Sequence, residues 1–313
     1  MPVFPNNVSL RQLRAFSEVA AAGSFAAAAR KLFITQSALS ESIKQLEGAL
    51  GVRLLDRTTR TVGLTQAGQI FLEDVKLALG SLEQGRRRMA DLQSLNAGEV
   101  CIAAAPSVLA NIVMPCLPAL AGKFPALRVT LREEGGAQVV RCVREGEADI
   151  GVGGWHPDAA NVSTQPLLDD SMGLVALPDE PLLRKKKLAI ADLSSAKIVG
   201  LTSDTAIAQL ILRSEDVPPN VLAPALRVSN PALMQQAIRL GLGVAVVPAL
   251  IAHHPEYAKL GFRVFTTPRI ARRICIFQSS RRSLSIAAAL VLDAVVRRAA
   301  VVARFSGIEL ADG

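Results

Sequence analysis

Aromatic side chains are scarce in this chain: 313 residues hold one Trp, one Tyr and 10 Phe, although half of all residues are hydrophobic. A core must then be built mainly from Ala, Val, Leu and Ile, which suits helices packed on a buried parallel sheet. Long apolar runs are also missing. The stretch 240–252 is broken by Pro248 and falls short of the roughly 20 residues a membrane-spanning helix needs. Residues 19–29 look like the apolar part of a signal peptide, but Glu18 interrupts them and Gly23-Ser24 reads as a turn and helix cap, so a cytoplasmic protein is expected. The cysteines, Cys101, Cys116, Cys142 and Cys275, form no CxxC pair and sit in apolar surroundings, which makes them core thiols. A redox switch needs an exposed thiol of low pKa near a resolving partner, and the sequence indicates none. His156, His253 and His254 have no carboxylate or cysteine at a matching spacing, and neither a Walker loop nor GxGxxG is present. No enzyme, metal or cofactor is expected.

The length fits about two folding units, at roughly 150 residues each. The net charge of +8 is compatible with a polyanionic partner without requiring one. The first 95 residues carry 12 basic and 8 acidic side chains, so per residue the N-terminal third is the more basic.

Ser9 can cap a helix whose Leu10, Leu13, Phe16, Val19 and Ala20 recur at helical spacing until Gly23. Ser24 caps a second short helix with Phe25, Ala28, Ala29 and Leu32 on one face, and Phe33-Ile34-Thr35 turns the chain into a third. In that third helix Leu39, Ile43, Leu46 and Leu50 share one side, and Gln36, Ser37, Ser40, Glu41 and Lys44 the other. Two short helices with a tight turn, the second presenting amide and hydroxyl groups, suit a major groove: Gln36 matches adenine, and the serines match base edges or phosphates. A merely solvated amphipathic helix is the alternative. The following segment argues against it, because two short strands around a turn space Arg53, Arg57 and Arg60 to reach the phosphate backbone or the minor groove. Thr65 then caps a long helix to about Ser94. Its Leu72, Val75, Leu79, Leu82 and Met89 follow a 3-4-3 pattern, with Arg86 at the intervening position. Such a seam packs on its own head or on a partner helix; pairing between subunits is expected because the helix outlasts the small head.

These segments resemble the LysR family. The resemblance is carried by Leu13, Phe16, Ala20, Ser24, Phe25, Ala28, Ala29, the run Gln36-Ser37-Ala38-Leu39-Ser40, Ile43 and Leu46-Glu47, then by Leu54-Leu55-Asp56-Arg57 and Leu64-Thr65-Gln66-Ala67-Gly68. Glu41 departs from relatives that often carry a basic or amide side chain there; a carboxylate repels phosphate but can accept from cytosine N4.

Beyond a hinge at 95–98, strand 100–105, a helix opened by Pro106-Ser107, strand 128–132, helix 138–145 and strand 148–152 give the βαβ order of a parallel sheet. A second βα series begins near Ser171, with strand 197–201, the polar turn Thr202-Ser203-Asp204-Thr205, strand 225–229, a helix at Asn230-Pro231, a buried strand in 241–248, and a return through 263–267 to strand 274–278 and a helix from Leu284. Ligands in such sheets bind at helix N-termini beyond the strand ends, where free N–H groups favour anions.

Taken alone, these elements describe an open α/β body. The resemblance extends over the full length. It implies an α/β protein with a winged helix-turn-helix head (1–66), a linker and dimerisation helix with hinge (67–97), and a two-lobed effector domain like the periplasmic-binding-protein type 2 fold (98–313). Lobe I is placed at about 98–167 and 269–305, lobe II at about 168–268. It further implies binding to a promoter dyad on double-stranded DNA as a homodimer or homotetramer, a small-molecule effector between the lobes, and communication with RNA polymerase. Carried over by position, Ser107, Gly136, Thr202, Ser203 and Asn230 are the effector contacts, although each could be an ordinary helix cap. Ala137 stands where relatives often place a hydroxyl. Helix-end donors favour a small carboxylate, and Val108, Ala137 and Trp155 would also accept an aromatic acid. Trp155 and His156 are read first as packing and solvent-exposed residues. The competing function is a solute-binding or metabolite-sensing protein without DNA binding, which the head contradicts.

Overall fold

Ser9 starts the first helix as the sequence suggests: its hydroxyl accepts from the Gln12 N–H at 3.3 Å while its own N–H donates to Gln12 Oε1 at 2.8 Å, a capping box. The computed structural model describes residues 8–57, 62–93, 98–157 and 161–311. The chain divides into two compact units, Met1–Met89 and Ala90–Gly313.

In the first unit, α1 (Leu10–Ala22) stops at Gly23, whose φ of 59° is left-handed. Ser24 and Thr35 cap α2 (Phe25–Lys31) and α3 (Gln36–Leu50) by accepting the N–H groups of Ala27 and Ala38. The strands β1 (Leu55–Arg57) and β2 (Val62–Leu64) pair antiparallel as the wing, and α4 (Gln66–Gln93) follows, its first turn capped by Thr65, which accepts the Gly68 N–H at 2.9 Å. Phe16, Leu39, Ile43, Leu46 and Leu54 form the buried centre between these elements.

The second unit opens with β3 (Glu99–Ala104). The helical segment after it changes type along its length: α5 (Pro106–Val108), a π-helical turn over Leu109–Val113, a 3-10 turn over Met114–Cys116, and α6 (Leu117–Lys123). Next come β4 (Arg128–Glu133), α7 (Ala137–Glu145), β5 (Ile150–Gly154) and the long strand β6 (Val162–Ala176). Beyond it lie β7 (Val199–Leu201), α8 (Ala206–Leu212), α9 (Pro219–Leu222), β8 (Leu226–Val228), α10 (Pro231–Arg239), β9 (Ala245–Pro248) and α11 (Ala249–Ala252). The chain closes with β10 (Gly261–Val264), β11 (Ala271–Ser279), α12 (Ile286–Val302) and β12 (Ile308–Leu310).

The sheet is mixed rather than parallel. β3 lies parallel between β4 and β5, but β11 runs antiparallel to both β5 and β6. The expected second series near Ser171 therefore does not begin with a new element: Ser171 lies inside β6, a strand of 15 residues. Its first part, through Ser171, pairs with β11, and its last part pairs with β10 and β9. Each part serves a different core. Ile102, Ile112, Ile150, Leu168 and Val291 belong to one apolar cluster, and Met172, Leu174, Val199, Ile238 and Val247 to another. Two lobes thus share one strand, and the crossing falls at Asp170, Ser171 and Met172.

Candidate functional site

Burial of Leu39, Ile43 and Leu46 fixes which face α3 shows to solvent. Gln36, Ser37, Glu41 and Lys44 are exposed on it and Ser40 is half-buried. The Ser37 hydroxyl lies 3.1 Å from that of Thr35, and Glu41 Oε1 accepts from Gln45 Nε2 at 3.2 Å, so part of the acceptor capacity of Glu41 is used along its own helix. Arg53 is exposed at the entry to the wing. Arg57 ends β1; its side chain, and all of Arg60, lie outside the described residues.

The wing is set by a residue to which the sequence reading gave no role. Glu47 Oε1 on α3 accepts the N–H groups of Leu54 and Leu55 at 2.8 and 3.1 Å, tying the wing to the exposed helix. Gly68 completes the joint: a Cβ there would stand 2.0 Å from the Leu54 carbonyl oxygen. Glu47 and Gly68 both belong to the motif, but only the fold explains why those residue types are needed.

Along α4 the predicted seam is divided. Val75 is 2 % exposed inside the head core, and Leu72 and Leu79 pack against that core, so these three are engaged within their own chain. Leu82 is 52 % exposed; the Met89 side chain lies outside the described residues. The first turns of a helix that leaves a small domain cover its core, which takes up the first half of the stripe and leaves Leu82 exposed.

In the second unit a cleft of about 970 Å³ lies between the lobes. Ser107, Gly136 and Asn230 line it; Thr202 and Ser203 do not, and Asp204 and Thr205 from the same turn stand in the wall instead. The difference is one of turn geometry: the Thr202 carbonyl accepts the Thr205 hydroxyl at 2.9 Å, and Ser203 faces a smaller hollow of about 130 Å³. Val108 is fully buried, and neither it nor Ala137 reaches the cleft, whereas Trp155 and His156 are both in its wall. Asn230 Oδ1 is taken up in capping α10, accepting from Leu233 N–H at 3.0 Å. Gly136 heads α7 at φ 44° without a side-chain cap, and within that first turn the Gln138 N–H donates to the Gly135 carbonyl at 2.9 Å. Thr164 Oγ1, also on the lining, is buried without a partner among the described residues.

Arg272 is the cleft residue whose signal the sequence conceals. Its Nε and Nη2 donate to Asp170 Oδ2 at 2.9 and 2.8 Å, and Nη2 donates to Ser107 Oγ at 2.7 Å. Asp170 Oδ1 accepts the Leu250 N–H at 3.0 Å, and Asn111 Nδ2 donates to the carbonyls of Leu250 at 2.7 Å and Ser107 at 3.0 Å. The circuit closes on Ser107. Burial pushes the Asp170 carboxyl up, opposed by the Arg272 charge and by N–H donors from Leu250 and Ala249. One register position along, Arg273 lies against Asp169, and its hydrogen bond holds that carboxyl below the usual range.

The four thiols are buried. Desolvation raises Cys116 and Cys275 and pushes Cys142 up to about 11. Among the described residues no group of His, Cys, Asp and Glu is placed to hold a metal, and no helix is long and apolar enough to cross a membrane.

A winged helix-turn-helix unit followed by a two-lobed unit with a ligand-sized cleft defines a DNA-binding transcriptional regulator with an effector-binding domain. Residues 10–69 match the bacterial regulatory helix-turn-helix protein model of the lysR family, and 93–300 match the LysR substrate binding domain. This chain belongs to the LysR family. It is 29% identical to the uncharacterized HTH-type transcriptional regulator YfeR of Shigella flexneri, over 92% of this chain and 94% of that one. It is 31% identical to the nitrogen assimilation regulatory protein nac of Escherichia coli, over 89% and 91% of the two chains. In fold it is similar to full-length CbnR complexed with its target DNA, with a TM-score of 0.62 at 21% identity, covering 93% of this chain and 100% of that one.

Proposed function

We propose that this regulator acts in the cytoplasm, without catalysing a reaction, by binding an interrupted promoter dyad as a dimer or a pair of dimers and by answering a small organic acid held between its lobes. The cleft carries the reading. It is ligand-sized, largely apolar through Ala105, Pro166, Leu201, Ile207 and Ile251, and supplied with a few convergent donors. Ser107, Gly136 and Asn230 are kept as effector contacts, with Thr205 in place of Thr202 and Ser203. In the head, Gln36, Ser37, Ser40, Glu41 and Lys44 read base edges, while Arg53, Arg57 and Arg60 contact the backbone or minor groove. Subunits pair through the later turns of α4, where Leu82 and Met89 continue the stripe past the head. The recorded complex of CbnR with target DNA supports the same use of this head.

A ligand can shift only an equilibrium whose two states it binds unequally. Here those states are two lobe angles about β6, which change DNA bending and the access of RNA polymerase. Footprinting of the full chain on its own upstream DNA, with sedimentation of the complex, tests this. A protected dyad and an even number of subunits are expected; protection without a dyad, or a monomer at working concentration, would overturn the proposal.

A further inference from the structure

Arg272 offers five N–H donors, and its contacts with Asp170 and Ser107 engage only Nε and Nη2. Nη1 meets no acceptor among the described residues and is not sealed from solvent, while Arg272 lines the cleft. Ser107 lines it too; its hydroxyl accepts from Arg272 and donates to no described acceptor. A half-used guanidinium and a half-used hydroxyl therefore face the same cavity, bonded to each other.

Resting on the cleft reading above, we infer that Arg272 Nη1 and the Ser107 hydroxyl are the anchor for the acid group of the effector, with Asp170 as the positioning residue behind them. Asp170 is fully buried, so a ligand cannot take its place, and its carboxylate fixes the guanidinium plane. The anchor is held rigidly, because Asn111 and Leu250 close the circuit from two further segments. Glu133, Glu134 and Asp204 also line the cleft, but Glu133 and Asp204 are exposed and Glu134 lies against Arg132, so solvent and pairing weaken their field. Arg272 is 13 % exposed, and hydrogen bonds from a charged donor are strong in such a place. A carboxylate fits these donors; the matching amide places an NH₂ group against one of them.

Trp155, the single tryptophan, is 60 % exposed on the cleft wall and reports occupancy by its emission. The full chain is titrated with hexanoate, 3-phenylpropanoate and glutarate, each beside its amide. At least one acid is expected to bind on the order of tenfold more tightly than its amide, since one charge-assisted contact is of that size. In R272Q/D170N, which removes both charges together, that preference should shrink to within about twofold. Should that variant fail to unfold cooperatively, Arg272→Lys takes its place and should weaken the acid by about tenfold, because an ammonium lacks the planar fork. No acid binding at all, equal binding of acid and amide, or a preference that survives these variants would overturn the anchor. An acid that binds by calorimetry without moving Trp155 emission counts against the cleft reading itself. An acid that moves the emission but ignores Arg272 refutes the anchor alone.

Discussion

Arg272 and Ser107, 165 residues apart in sequence, share a hydrogen bond of 2.7 Å in which the guanidinium donates to the hydroxyl. Ser107 heads the helical segment after β3, and Arg272 sits on β11 beside the strand common to both lobes. Family position alone assigns Ser107 to the effector; in the folded chain it is also a strut between two segments.

That double role separates two replacements the sequence treats alike. Ser107→Ala should weaken acid binding and lower stability by about 1.5–3 kcal/mol, the usual worth of a hydrogen bond to a charged group. Thr202→Ala should leave the response to acid within about twofold, because Thr202 stands outside the cleft. Thermal unfolding and Trp155 titration of the two variants check this.

In the head, Glu47→Ala should reduce affinity for specific and random DNA together. Two N–H groups at the entry to the wing lose their acceptor, and the head should lose about 1–3 kcal/mol. Gly68→Ala should act in the same direction, since a Cβ placed 2.0 Å from a carbonyl oxygen forces the wing off α4. Circular dichroism melts and anisotropy on both DNA types measure the pair; a change confined to specific DNA would contradict the structural role.

Base reading and backbone contact should separate as well. Ser40→Ala is expected to narrow the ratio between specific and random sites by about 1–3 kcal/mol, as for the loss of a base contact. Arg53→Ala should weaken all sites and reduce the slope of log affinity against log salt by about 0.9. Equal effects of both on the two DNA types would refute the assignment.

The thiols give a prediction about pH. With Cys142 raised to about 11 from its ordinary 9.0, the folded chain holds this proton more firmly than the unfolded chain does. The contribution is complete below about pH 9 and is lost as pH rises toward 11. Wild-type melting midpoints should therefore fall more steeply over that window than those of Cys142→Ala. Burial also predicts that a disulfide thiol probe at pH 8 modifies the native chain only at the rate at which it opens.

What could be read from the sequence was local. Ser9, Ser24, Thr65 and Asn230 signal helix starts through their own chemistry, and all four accept N–H groups of the first turn; Thr35, read only as a turn residue, also caps its helix. The solvent-facing set on α3 follows from the burial of Leu39, Ile43 and Leu46, which the periodicity reveals. The long-range features were hidden for a physical reason. Asp170 and Arg272 are 102 residues apart, and neither sits in a pattern that tells a paired charge from a solvated one. The mixed sheet was missed because apolar residues such as Ile274, Ile276 and Phe277 of β11 are buried whichever way the strand runs, and β6 because its polar Asp169-Asp170-Ser171 reads as a boundary although Asp170 and Ser171 are buried within the strand. A stripe on a helix likewise does not say which surface covers it, and Val75 is covered by the head core.

Occupation of the cleft should govern the DNA complex. Trp155 emission and the bend of a bound dyad, followed by energy transfer between dyes on the DNA ends, can be titrated in one sample with the acid that binds best. A single midpoint is expected for both signals, displaced together by about tenfold to higher acid in R272Q/D170N; an emission change that saturates while the DNA bend stays constant would refute the coupling.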